Sequence, residues 1–176
     1  MVQDYDNVEV DGRAFLLRPD MPKEGRPRTP REGESQDGEL SEPMKSYAEE
    51  AGLVMRRPSK TPYTMYALEA TEYAQEHGKF MEFHWAANRA FWEDGKDLGD
   101  LEVLSEIAEG VSLDSKDMIR HLEDKHYTST VMGQYQEALQ HGIQGIPTFL
   151  VGNLLFTGAQ PYDIFKAAMD RVLDKG

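Results

Sequence analysis

GIQGIPTFLV, residues Gly142 to Val151, sets a proline, Pro147, directly against an apolar run of β-forming residues. Proline gives no N–H to a β-ladder and is confined to strand mouths, edges and bulges. The stretch therefore predicts either an ordinary edge strand or a backbone left open for a partner. Just downstream, PTFLVGNLLFTG is two short apolar runs around Gly152–Asn153, a tight-hairpin signal. Pro161 then opens YDIFKAAMDRVLDK, with Ile164, Phe165, Ala168, Met169 and Val172 on one face of a terminal helix.

Upstream of Gly142 the period is helical. Thr61 is predicted to cap a helix with Pro62 at its first position; it carries Met65, Leu68 and Tyr73 and stops at Gly78. KFMEFHWAANRAFWED follows as a second helix, whose Phe80, Phe83, Trp85, Phe91 and Trp92 are expected in a core. Asp100 to Gly110 and SKDMIRHLEDK, capped by Asp114, are the next two, and a further helix runs from about Ser129 to His141. Nearer the N-terminus, 43–52 reads as a short helix. Residues 7–18 read as an opening strand, from the Val8/Val10 alternation and the Phe15–Leu17 run. Between them, 18–43 is crowded with Pro, Gly and charge, with only Met21 and Leu40 apolar, and is expected to be an exposed or mobile loop. The order of strand, long loop, helices, hairpin and helix predicts an α/β or α+β sandwich with a helical insertion.

The chain has 176 residues, 39% of them hydrophobic, enough for a core in one domain or one domain with an insertion. Its net charge of −13 argues against nucleic acid or an anionic membrane as partner. No stretch approaches a membrane span, and MVQDYDNVEV has neither the basic nor the apolar region of a signal peptide, so a cytoplasmic location is expected. There is no cysteine, which excludes disulfides, thiolate nucleophiles and zinc–thiolate sites in this chain. His77 and His84 lie near Glu76 and Glu82, but Gly78 is expected to break the helix between them. No metal site is predicted, and His84 is expected to be a packed polar residue. His121, His126 and His141 have no evident partners in the sequence. Glu93, Asp94, Asp97 and Asp100 read as a solvated acidic turn rather than a calcium loop.

GIQGIPTFLVGNLLFTGAQPYDIFKAAMDRVL resembles the C-terminal half of the DsbA-like branch of the thioredoxin superfamily. RRPSKTPYTMYALEATEYAQEHGKFMEFHWAANRAFWEDGKDLGD resembles that family's helical insertion, and VEVDGRAFLLRPDMPKEG its second core strand and following loop. The resemblance implies a thioredoxin-like α/β fold in four parts. These are a thioredoxin-like segment at 1–20, a loop and short helix at 21–60, a helical insertion at 61–142, and a second thioredoxin-like segment at 143–176. It also implies a cis bond before Pro147, which turns the Ile146 backbone outward to pair with an extended peptide or with glutathione. Gln160 falls where glutathione-using relatives carry an acid, so that ligand is the weaker expectation, and a plain helix cap is the expected role of Gln160.

The family's first core strand and its Cys-x-x-Cys helix, or the serine of its isomerases, have no counterpart in this sequence. A fragment of a longer protein, a strand borrowed from a second copy, or a local rearrangement would each account for that. The expected site is thus Ile146, Pro147, Thr148 and Gln160, with no catalytic residue, cofactor or metal. The expected partners are an extended peptide or protein substrate, glutathione more weakly, and a second copy in a homodimer. Three functions follow from the resemblance. The first is a DsbA-family thiol–disulfide oxidoreductase relative that is redox-inactive as this cysteine-free chain. The second is a non-enzymatic peptide-binding or dimerising module, and the third, weaker, is a relative of the glutathione-dependent isomerases.

Overall fold

The computed structural model describes residues 5, 8–29 and 38–173. They divide into two compact units, one of Met1–Leu17 with Met132–Gly176 and one of Arg18–Val131. The boundary falls inside a helix.

The unit of Arg18–Val131 is helical. Its elements are β1 (Arg26–Pro27), α1 (Met44–Glu50), β2 (Lys60–Thr61), α2 (Met65–Glu76), α3 (Phe80–Trp92), α4 (Leu101–Gly110), α5 (Ser115–Glu123) and the first turn of α6 (Thr128–Gln140). Ala67, Ala70 and Ala74 recur along one face of α2 and are buried, so neighbouring helices approach it closely. Tyr73, Phe83, Leu104, Met118 and Leu122 fill the space between, all but inaccessible to solvent. Asp100 and Asp114 start α4 and α5 as their positions predict: Asp100 Oδ1 accepts from Glu102 N at 2.9 Å and Asp114 Oδ1 from Asp117 N at 3.0 Å. The Tyr73 hydroxyl donates to Asp117 Oδ2 at 3.0 Å, and burial with that contact pushes the phenol up to about 12. Tyr127 does the same toward Glu76, also raised by burial first. Both phenols are neutral donors across the physiological range.

Three sequence expectations fail in this unit. Thr61 does not cap α2; it pairs with Arg26 in the β1–β2 ladder, and the helix starts only after Thr64. The 18–43 stretch is not wholly exposed: Met21 and Leu40, its two apolar residues, are both buried. Residues 30–37 of it lie outside the described residues. Of the α3 aromatics only Phe83 is fully buried, whereas Trp85 is 58% exposed. Helical spacing sets Trp85 off the buried stripe of Phe83, Ala87 and Ala90.

The other unit holds the rest of α6, then β3 (Thr148–Val151), β4 (Leu154–Thr157) and α7 (Tyr162–Leu173). β3 and β4 form an antiparallel hairpin with Thr148 opposite Thr157 and Val151 opposite Leu154. Gly152 turns it at φ +59°, and a Cβ there would meet Val172 Cγ2 of α7 at 2.7 Å, so the turn fits only glycine. Phe149 and Phe156 stack at 5.7 Å, and Phe165 of α7 stands edge-on to both at 4.7 and 5.0 Å. This aromatic triangle joins the helix to one face of the hairpin. Ala168 and Met169 of the predicted α7 face are buried, but Ile164 is 47% exposed.

The opening strand expected at 7–18 does not form among the described residues. Residues 8–17 run irregularly over α6: Ala14 N donates to Gln134 Oε1 at 2.5 Å, Phe15 meets Tyr135 edge-on at 5.3 Å, and Arg13 pairs with Glu137 at 2.7 Å. Alternation in sequence supplies faces, but a strand needs a neighbour to bond with. Val10 is accordingly 41% exposed, while Ala14 and Leu16 are buried.

Leu122→Ala should cost about 2–5 kcal/mol of unfolding free energy by denaturant titration, the usual range for a filled core position. Leu150→Ala, at an exposed position, should fall within about 0.5 kcal/mol of the parent.

Candidate functional site

The geometry of β3 follows from its pairing. Gly158 N donates to Pro147 O at 2.8 Å, beyond the end of the ladder. In an antiparallel pair, bonded and non-bonded positions alternate. With Val151 opposite Leu154 and Phe149 opposite Phe156, the backbones of Pro147, Phe149 and Val151 all turn toward β4. Thr148 and Leu150 turn the other way. Among the described residues, their outward N–H and C=O groups meet no partner.

Pro147 thus sits where its missing N–H is directed at β4, not at the open edge. The proline closes no outward position. The Ile146–Pro147 peptide bond is cis. Thr148 Oγ1 donates to Gly145 O at 2.8 Å and closes the loop in front of the strand. Ile146 and Pro147 stand exposed at its mouth, Ile146 at 53%.

Side chains divide by face. Phe149, Val151, Leu154 and Phe156 are partly covered on the α7 side. On the opposite face Leu150 is 67% exposed and its cross-strand neighbour Leu155 49% exposed. An open edge with an apolar margin can accept an extended strand, gaining main-chain hydrogen bonds and side-chain cover together. From Ala138 to Tyr162 the sequence has no Asp, Glu, Lys or Arg, although the chain carries −13 overall. The two strands themselves therefore carry none of the charged side chains that normally protect an edge from strand addition. Leu150 and Leu155 were not picked out by the motif; the run without Asp, Glu, Lys or Arg marks the stretch that holds them, and only the register assigns their face.

Gln160 belongs to the turn and not to the open edge. Its Nε2 donates to Thr157 O at 2.7 Å, which satisfies a carbonyl at the end of β4. Ile146, Pro147 and Thr148 are contiguous at the strand mouth, and Gln160 follows β4 in the same unit.

The histidines make no metal centre. No group of His, Asp and Glu among the described residues has the geometry for one. Gly78 has φ +67° and follows the end of α2, separating His77 from His84. His84 is exposed to solvent, yet its ring stacks on Phe80 at 5.5 Å. His121 and His126, which looked isolated in the sequence, meet edge-on at 4.9 Å, and His121 Nδ1 lies 2.8 Å from Asp117 O. In the acidic turn, Asp97 Oδ2 takes the Lys60 ammonium at 2.5 Å and Asp100 caps α4.

A family model described as DSBA-like thioredoxin domain matches residues 1–170. The chain belongs to that family. It is 29% identical over 179 residues to the uncharacterized protein YwbO of Bacillus subtilis (strain 168), covering 93% of this chain and 82% of that protein. The crystal structure of a probable DsbA oxidoreductase from Streptomyces coelicolor superposes with a TM-score of 0.81 at 26% identity, covering 97% of this chain and 78% of that one. A 2-hydroxychromene-2-carboxylate isomerase shares the fold, at a TM-score of 0.68 and 16% identity, over 75% of this chain and 64% of that one. This DSBA-like chain therefore combines a thioredoxin-type hairpin and helix with a helical unit, and has no cysteine. No helix among the described residues is long and apolar enough to cross a membrane.

The helical unit has one further polar feature. Lys23, Tyr63, Met65, Tyr66, Glu69, Leu122, Glu123, Lys125 and Thr128 line a cavity of about 140 Å³. Glu69 is 1% exposed and accepts from the Thr128 hydroxyl. Burial raises its pKa, opposed by that hydrogen bond and by Lys125 and Lys23. The raised folded value means that the neutral carboxyl favours the folded state. Its contribution is complete below the ordinary value of 4.5 and is lost as pH rises through the raised value. Glu69→Gln should therefore remove part of the fall in unfolding free energy between pH 4.5 and neutrality, read by denaturant titration across that range. An unchanged slope would mean that Glu69 is solvated in the native state.

Proposed function

We propose that this DSBA-like chain binds extended polypeptide along the outer edge of β3, from Ile146 to Leu150, without carrying out thiol exchange itself. The observation that supports it is the outward pairing capacity of Thr148 and Leu150 beside the exposed Ile146 and Pro147. Main-chain bonds to Thr148 and Leu150 would hold a strand whatever its sequence. Ile146, Leu150 and Leu155 would favour uncharged, apolar segments. Such a segment is what an unfolded or incompletely oxidised protein exposes, and it is the kind of substrate that a DsbA-type oxidoreductase must hold during exchange. The redox half of that activity needs a thiolate, and this chain has none.

Glutathione has less support as a ligand. The Gln160 amide is already bonded to Thr157 O and offers no charge to the glutathione ammonium group. The second reading, a peptide-binding module with no role in redox chemistry, uses the same edge and differs only in what acts on the bound strand.

Insulin B chain with its cysteines carbamidomethylated and a fluorescent label attached should bind saturably, read by anisotropy at low protein concentration. Leu150→Pro should abolish the binding, because it deletes an outward N–H while leaving the bonds to β4 in place. Leu155→Ala should weaken it without abolishing it, because Leu155 adds side-chain cover but no main-chain bond. The pure chain should not speed insulin disulfide reduction beyond the rate of the added reductant. Non-saturable binding, or binding indifferent to Leu150→Pro, would refute the reading.

A further inference from the structure

The cavity around Glu69 lies wholly in the helical unit, and its lining brings together two ammonium and two carboxyl groups. Glu69 forms its buried end, at 1% exposure, with one carboxyl oxygen accepting from the Thr128 hydroxyl. Lys23, Glu123 and Lys125 are exposed and stand at its mouth. Tyr63 and Tyr66, edge-on to each other at 5.1 Å, supply apolar wall. Lys23 Nζ lies 5.5 Å from the centre of the Tyr66 ring, and among the described residues neither lysine stands in ion-pair contact with a carboxylate. Lys125 has φ +56°, directly after Asp124 at the end of α5. Glycine or asparagine fills such a left-handed position at least cost, so a lysine held there points to a use for its side chain.

These groups limit what can fit. A simple amine would suit Glu69 but would have to pass two ammonium groups at the mouth. A simple carboxylate would suit the lysines but would leave Glu69 buried with no cation, and a neutral apolar molecule would match none of the charges. A molecule with both an ammonium group and a carboxylate answers both ends, ammonium inward and carboxylate outward. An apolar cavity of about 150 Å³ admits a molecule of benzene's size, so about 140 Å³ limits the ligand to roughly six to nine non-hydrogen atoms. We infer that the helical unit holds a free α-amino acid with a short apolar side chain in this cavity, its ammonium group on Glu69 and its carboxylate on Lys23 and Lys125. The incoming ammonium stabilises the ionised form of Glu69, which burial otherwise disfavours. The site is independent of the β3 edge, which belongs to the other unit.

Isothermal titration calorimetry of the full chain tests this, with L-alanine, L-valine and L-leucine as probes. At least one should bind saturably, at one site per chain. Its analogue without the amino group and its analogue without the carboxylate should each bind about tenfold more weakly or worse. Glu69→Gln, which keeps an acceptor for the Thr128 hydroxyl, should weaken the amino acid by a similar factor. Lys125→Gly should do so too, with the thermal unfolding midpoint of the free protein unchanged or higher, because glycine suits the left-handed backbone there. Absence of saturable binding by all three amino acids overturns the inference. So does equal binding of either analogue, which would mark a site for one charge only. Binding indifferent to both Glu69→Gln and Lys125→Gly overturns it as well, because the amino acid would then lie elsewhere.

Discussion

The antiparallel pairing of β3 with β4 divides the backbone of five residues between two directions, and the rest of this half of the molecule depends on that division. Pro147, Phe149 and Val151 are held by β4, and Thr148 and Leu150 are released to the edge. Buried backbone groups find partners almost without exception, and an edge strand left bare is normally blunted by charge or cover. Among the described residues neither is present on the strand. The aromatic triangle of Phe149, Phe156 and Phe165 fixes one face against α7, and the close fit of Gly152 to Val172 holds the turn. What remains among the described residues is an edge without Asp, Glu, Lys or Arg and an exposed leucine face.

Much of this was legible in the sequence. Gly152–Asn153 between two apolar runs located the hairpin, and Asp100 and Asp114 located two helix starts, because in each case a local residue satisfies a local backbone need. The family resemblance was carried by an ordered set of segments over nearly the whole chain and agrees with the match over residues 1–170. What failed was non-local. The alternation of Val8 and Val10 could not reveal whether a strand would lie beside them, and Ala14 and Phe15 pack on α6 instead. Thr61 has the chemistry of a cap, but Arg26, far off in the chain, claims it for a ladder.

The site divides in the same way. Ile146, Pro147 and Thr148 were legible from one tripeptide in context. Gln160 was legible only as a helix cap or a ligand, and in the fold its amide donates to Thr157 O. Leu150 and Leu155 required the register, since strand alternation alone assigns faces without saying which one α7 covers. The cavity around Glu69 draws on Lys23, Glu69 and Thr128, which no sequence pattern joins.

Amide hydrogen exchange of the free chain at low concentration tests the central claim most directly. The account predicts alternation along β3: slow exchange at Phe149 and Val151, whose N–H groups face β4, and fast exchange at Thr148 and Leu150, whose N–H groups face outward. Slow exchange at Thr148 and Leu150 would contradict it, because the edge on which binding depends would already be taken.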